Sequence, residues 1–234
     1  MSIETNIALV CERIERAARR AGRSATDIAL MGVTKTHPPD RIREAYAGGL
    51  RLFGENRVQE FGAKASLLTD LIGAEWHMIG HLQTNKAAKA AELFAVVDSV
   101  DSAKLAEKLD AAARSLGKKL PVLIEVNVGG EAVKSGAALD SQELEALLQS
   151  ATRLEALEFR GLMTVPPFTD DPENARSFFR KLRELRDAIA ARKLPSIDMD
   201  VLSMGMSHDF EVAIQEGSTC VRVGTAIFGE RVKA

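Results

Sequence analysis

Short apolar runs recur along the chain at intervals that strands and helices would fill in turn. Strand-like runs fall at Ile28–Val33, Leu50–Gly54, Trp76–Gly80, Ala95–Val100, Pro121–Val128, Phe159–Thr164, Asp200–Met204 and Cys220–Gly224. Between them, apolar spacing predicts helices over Pro39–Ala47, Val58–Thr69, Asn85–Leu93, Ala103–Leu116, Ser141–Ala151, Pro172–Arg192 and His208–Glu216. Start and stop residues agree: Asp101 and Ser102 precede the fourth helix, Gly117 follows it, and Asp171-Pro172 opens the sixth. Ahead of the first strand, Ile3, Ile7, Val10, Ile14, Ala17, Ala18 and Ala21 recur at helical spacing, so an amphipathic helix ends near Gly22.

Eight strands alternating with helices is the count of a (β/α)8 barrel. A doubly wound sheet alternates in the same way, but its dinucleotide-binding form wants Gly-x-Gly-x-x-Gly after the first strand. Here that position reads Thr34-Lys35-Thr36-His37-Pro38-Pro39. With no long linker or low-complexity tract, residues 1–234 are expected to form one α/β domain, a (β/α)8 TIM barrel with an extra N-terminal helix.

Composition narrows the function classes. The 234 residues are 46% hydrophobic and carry a formal net charge of -2, without the basic surplus that nucleic acid or an anionic membrane surface would attract. No apolar run is long enough to span a bilayer. Cys11 and Cys220 lie far apart in the chain, so neither a disulfide framework nor a zinc site is suggested, and a reducing cytoplasm is the expected compartment.

Candidate chemistry gathers at the C-terminal ends of the strands, where barrels of this kind place their sites. Lys35 ends the first strand, and an ammonium there is costly unless it is paired or reacts. A desolvated lysine is a nucleophile toward aldehydes. Glu55 and Asn56 follow the second strand, His81 the third, and Lys134-Ser135-Gly136 the fifth. Ser203-Met204-Gly205-Met206-Ser207 and Gly224-Thr225 follow the last two, where small residues let backbone amides approach a phosphate. Arg222 interrupts the last strand on one face with Cys220 and Gly224. If Val221 and Val223 face the helices, it points into the barrel, either toward the pyridine nitrogen of a pyridoxal cofactor or toward an acidic partner such as Glu125.

Other polar residues read more plainly. His77 and His81 are four apart on a strand, which is not a one-face metal pair. His37 and His208 are expected in solvated loop or cap positions, Trp76, Phe53 and Phe228 in the core, and Ser207 in range to cap the helix near His208.

The stretches Val33-Thr34-Lys35-Thr36, Phe53-Gly54-Glu55-Asn56-Arg57-Val58-Gln59-Glu60, Trp76-His77-Met78-Ile79-Gly80-His81-Leu82-Gln83, Arg160-Gly161-Leu162-Met163-Thr164, the run from Leu202 to Phe210 and the run from Val221 to Arg231 resemble, in order and over nearly the whole chain, the YggS/PROSC family of pyridoxal phosphate (PLP)-binding proteins. The resemblance implies a barrel similar to the N-terminal domain of alanine racemase, with PLP held as an internal aldimine on Lys35. It further implies Arg222 facing the pyridine nitrogen, Ser203, Ser207, Gly224 and Thr225 at the phosphate with Met206 beside them, Asn56 near the ring, and Lys134 in a Lys-x-Gly loop. His37 stands where many relatives carry a second lysine, and Arg57 where many carry tyrosine. The implied function is PLP homeostasis, the safe carriage or buffering of a reactive aldehyde; a cytoplasmic monomer with PLP-dependent apo-enzymes as partners is the accompanying expectation. Two other readings stand beside it: a single-domain PLP-dependent racemase, and a barrel enzyme forming a Schiff base with a sugar phosphate.

Overall fold

The computed structural model describes residues 1–131 and 135–230; Lys134 and Arg231 lie outside the described residues. Helix α1 (Ile3–Arg20) begins where the Ser2 side chain accepts a hydrogen bond from the Thr5 amide, and it buries Ile3, Ile7, Val10, Ile14, Ala17 and Ala18, the stripe that its spacing predicts. Gly22 follows at φ +66°, a left-handed position that ends the helix without a Cβ penalty.

The chain then runs β1 (Ala29–Val33), α2 (Pro39–Ala47), β2 (Leu52–Glu55), α3 (Val58–Lys64), β3 (Glu75–Met78), α4 (Ala87–Leu93), β4 (Val96–Val100), α5 (Ala103–Ser115), β5 (Leu120–Asn127), β6 (Ala137–Ala138), α6 (Gln142–Ser150), β7 (Leu157–Met163), α7 (Arg176–Ala191), β8 (Ile197–Met206), α8 (Phe210–Gln215), β9 (Cys220–Val223) and α9 (Thr225–Phe228). Eight parallel strands pair in the order β4-β3-β2-β1-β9-β8-β7-β5, and β4 also pairs with β5, which closes the barrel. All eight predicted strands are there. The two-residue β6 hangs on the end of β5 as a ninth.

Several predicted helices tighten at their ends. Single 3₁₀ turns occupy Ala65–Leu67, Thr84–Lys86 and Pro172–Ala175, so α3, α4 and α7 are shorter than apolar spacing alone suggests.

Two apolar layers follow from strand alternation. Outward residues such as Phe53, Met78, Val97, Ile124, Leu162, Val221 and Val223 join the helices in the main core. Met31, Val33, Ile79 and Cys220 form a separate cluster inside the barrel. Val221 and Val223 therefore face the helices, which turns Arg222, at 3% exposure, toward the barrel axis.

Candidate functional site at the C-terminal barrel mouth

Strand register brings the two ends of the sequence together. Met31 of β1 pairs with Arg222 of β9 and Gly32 with Val223, so Val33 adjoins Gly224. A Cβ on Gly224 would lie 3.5 Å from Val33 Cβ. The Thr34 amide continues the ladder by donating to Gly54 O at 3.0 Å. Lys35 then follows, half-buried, in the turn just past the end of β1. Immediately beyond it, Thr36 has φ +66°, a left-handed conformation that a β-branched residue seldom adopts.

Arg222 is held by neutral acceptors. Its Nη1 donates to Ser203 Oγ at 2.8 Å and its Nη2 to Thr164 O at 2.7 Å. No carboxylate among the described residues pairs with it within 4.0 Å, and Glu125 instead accepts from Ser135 Oγ at 2.9 Å. Burial lowers the guanidinium's pKa, while Cys220, Asp98, Asp209 and Glu125 act at longer range to raise it; an arginine stays protonated under such conditions. Burial likewise raises the pKa of the Glu125 carboxyl, whose Oε2 has no hydrogen-bond partner. Ser203, with no exposed surface, has its hydroxyl turned to Arg222.

Ser207 occupies a different position from the one its capping potential suggests. Its Oγ accepts from the amides of Gly224 at 3.2 Å and Ala226 at 3.3 Å, tying the end of β8 to the turn that opens α9. Helix α8 begins after Asp209 with no side-chain cap, and Asp209 Oδ1 accepts from the Met206 amide at 2.6 Å. Glu211 pairs with Arg13 of α1 at 2.7 Å. The capping expectation for Ser207 fails because the Gly224 and Ala226 amides claim its oxygen. Gly224 and Thr225 stand beside it, Thr225 exposed, and Met206 pairs in register with Arg222.

Asn56 completes the other side of the mouth at the end of β2. Gly80 passes so close that a Cβ there would lie 2.4 Å from Asn56 O, and only glycine allows this approach. The structure thus assembles Lys35, Asn56, Ser203, Met206, Ser207, Arg222, Gly224 and Thr225 around one barrel end.

One of the plainer readings changes. His37 is half-buried and stacks on Phe228 with ring centroids 4.6 Å apart, packing the β1–α2 turn against α9 instead of standing in solvent. His208 is exposed, with its ring 5.4 Å from Phe168. His77 bridges Glu75 and Asp98, each at 2.9 Å, and among the described residues no group of three His, Cys, Asp or Glu side chains is arranged for a metal ion. Its surroundings belong to the opposite end of the barrel, where a cavity of about 640 Å³ is lined by His77, Asp98, Leu52, Leu123 and Cys220 among others.

One cluster is not evident from sequence. Buried Lys64 of α3 reaches Glu55 Oε1 at 2.8 Å, Thr34 O at 3.0 Å and His37 O at 3.3 Å. The i,i+4 spacing of Glu60 and Lys64 was a visible signal, but their contacts to the β1–α2 turn arise only when α3 packs beside it.

Residues 9–232 match the family model described as alanine racemase, N-terminal domain. The chain is 47% identical over 222 residues, 95% of each chain, to the pyridoxal phosphate homeostasis protein of Aquifex aeolicus. It is 44% identical over 230 residues to the protein of that description from Pseudomonas aeruginosa, covering 98% of this chain and 96% of the relative. The solved structure of PipY from Synechococcus elongatus with PLP bound matches at a TM-score of 0.80 and 38% identity, covering 93% of this chain and all 100% of that one. Alanine racemase from Streptomyces coelicolor is similar in fold, with a TM-score of 0.72 at 19% identity, and this chain spans 58% of its length.

Proposed function

This chain belongs to the pyridoxal phosphate homeostasis family built on the alanine racemase N-terminal domain, and on that premise we propose that its barrel mouth binds PLP for safe carriage, with Lys35 as the covalent anchor. The observation that carries this reading is the β1/β9 register, which sets the lysine-bearing end of β1 beside Arg222 and Gly224. The residues fit the cofactor. Ser207 Oγ accepts from the Gly224 and Ala226 amides and so keeps its own proton to donate to a phosphate, beside the exposed Thr225 and at a spot where glycine leaves room, and Arg222 would offer a permanently charged donor to a ring nitrogen. PLP supplies an aldehyde that bonds to an amine, and a pyridine ring that withdraws electrons from it.

Within that assignment each side chain has a limited task. Lys35 presents its amine, and Ser203 and the Thr164 carbonyl hold the Arg222 guanidinium in a fixed plane. Because arginine keeps its protons, Arg222 would leave a ring nitrogen that it faces without one, which would weaken the ring as an electron sink. Tyr46, the chain's one tyrosine, donates to Ile72 O at 2.7 Å near the far end of α2, away from the mouth. Carriage therefore suits the geometry better than racemisation, which needs a second acid or base opposite the lysine. The free thiols of Cys11 and Cys220 fit a reducing cytoplasm, and PLP-dependent apo-enzymes are the natural recipients.

The test is the near-visible absorption of the protein after saturation with PLP and removal of the excess. Wild type should be yellow and Lys35→Ala colourless at equal folded fraction. A colourless wild type, or an unchanged band in Lys35→Ala, would contradict the proposal.

A further inference from the structure

The turn that carries Lys35 is gripped on both sides by groups that do not enter the mouth. Thr34 Oγ1 donates to Glu55 Oε1 at 2.5 Å, and Lys64 Nζ lies 2.8 Å from the same carboxylate oxygen. The Lys64 ammonium also donates to the carbonyls of Thr34 and His37 at 3.0 and 3.3 Å, and sits 3.3 Å from Glu60 Oε1. That Glu60 oxygen accepts the Thr36 amide at 2.5 Å. Backbone groups of residues 34, 36 and 37 are thus tied to α3 and β2, with Lys35 between them. Glu55 is fully buried and Lys64 nearly so.

The turn needs such a grip. A left-handed Thr36 is strained and persists only where its surroundings impose it. Charge-assisted hydrogen bonds, stronger than neutral ones, are suited to do so. Burial favours the neutral Glu55 carboxyl, and the adjoining Lys64 ammonium opposes that effect.

We infer that Glu60 and Lys64 are positioning residues for Lys35: they hold the strained Thr36 turn so that the lysine leaves β1 directed into the mouth. This rests on the assignment of Lys35 above, and it gives these two side chains a role in forming the covalent bond with no contact to the cofactor. Lys64 has its ammonium committed to the turn, so it acts as a brace and not as a second anchoring amine.

Two ligands separate positioning from general loosening. PLP can bond to Lys35, whereas pyridoxine 5'-phosphate carries the same phosphate and ring without an aldehyde. Glu60→Ala removes the acceptor of the Thr36 amide and leaves the buried Glu55–Lys64 pair in place. It should weaken PLP by about tenfold, as expected for losing one charge-assisted bond, with pyridoxine 5'-phosphate nearly unaffected. Glu60→Gln, which keeps an acceptor, should retain most of the affinity. Thr36→Gly should restore part of the loss in the Glu60→Ala background, since glycine takes the left-handed conformation unaided. Lys64→Met should repeat the ligand-selective loss in whatever fraction of protein remains folded. Equal weakening of both ligands, or no weakening of either, would overturn the inference. A borohydride-fixed adduct on Lys64 would overturn the brace. An adduct on some other lysine in wild type would instead sink the Lys35 assignment, independently of these variants.

Discussion

Buried charge is the economy of this barrel at the scale of single residues. Arg222 lies inside on neutral oxygens, and His77 lies inside between two carboxylates. Burial opposes the charge on His77, but Asp98 and Glu75 outweigh it and push the pKa up from 6.5 to about 9. Because the folded value is raised, the stabilisation is complete below the unfolded pKa and is lost as pH rises through the folded one. His77→Gln should therefore destabilise wild type by up to roughly 3 kcal/mol more near pH 6 than near pH 10, as measured by urea unfolding. A pH-independent difference would mean that His77 is held neutral. Arg222's inward direction was legible from the period of two on Cys220-Val221-Arg222-Val223-Gly224. Its partners were not, because Ser203 and Thr164 belong to strands distant in sequence. The Glu125 pairing left open at that stage is replaced by those neutral bonds.

Elements with whole-turn periodicity were the most legible, and the short pieces β6 and α9 the least. α1 follows its apolar stripe closely, while β6 and α9 escape any periodic reading because two strand residues, or barely one helical turn, show no repeat. α9 matters most, since its opening amides meet Ser207 and its Phe228 stacks on His37, which links the end of the barrel to the β1–α2 turn. If this junction seats the phosphate, replacing Ser207 with Ala and Thr225 with Val together should weaken PLP about tenfold or more relative to phosphate-free pyridoxal. Equal losses for the two ligands in a binding titration would move the phosphate elsewhere. The Ser207 expectation shows the limit of local reading: a serine three residues before a helix looks like a cap until the fold brings another pair of amides to it.

Across the whole molecule the eight-strand closure gives the barrel two chemically different ends. The strand starts surround the cavity lined by His77, Asp98 and Cys220, and the strand ends gather a lysine, an arginine and a cluster of small residues. Alternation of strands and helices was enough to expect that architecture, and with it the end at which chemistry belongs. The parallel register then decides which strand ends become neighbours, so that position 35 and position 224 meet. No helix among the described residues is long and apolar enough to cross a membrane. The central claim is that Lys35 is the amine that holds PLP. Its most direct test is borohydride reduction of the PLP-loaded protein followed by peptide mapping. The adduct should appear on Lys35 and vanish in Lys35→Ala, whereas a wild-type adduct on Lys64, Lys86, Lys89 or Lys134 would contradict it.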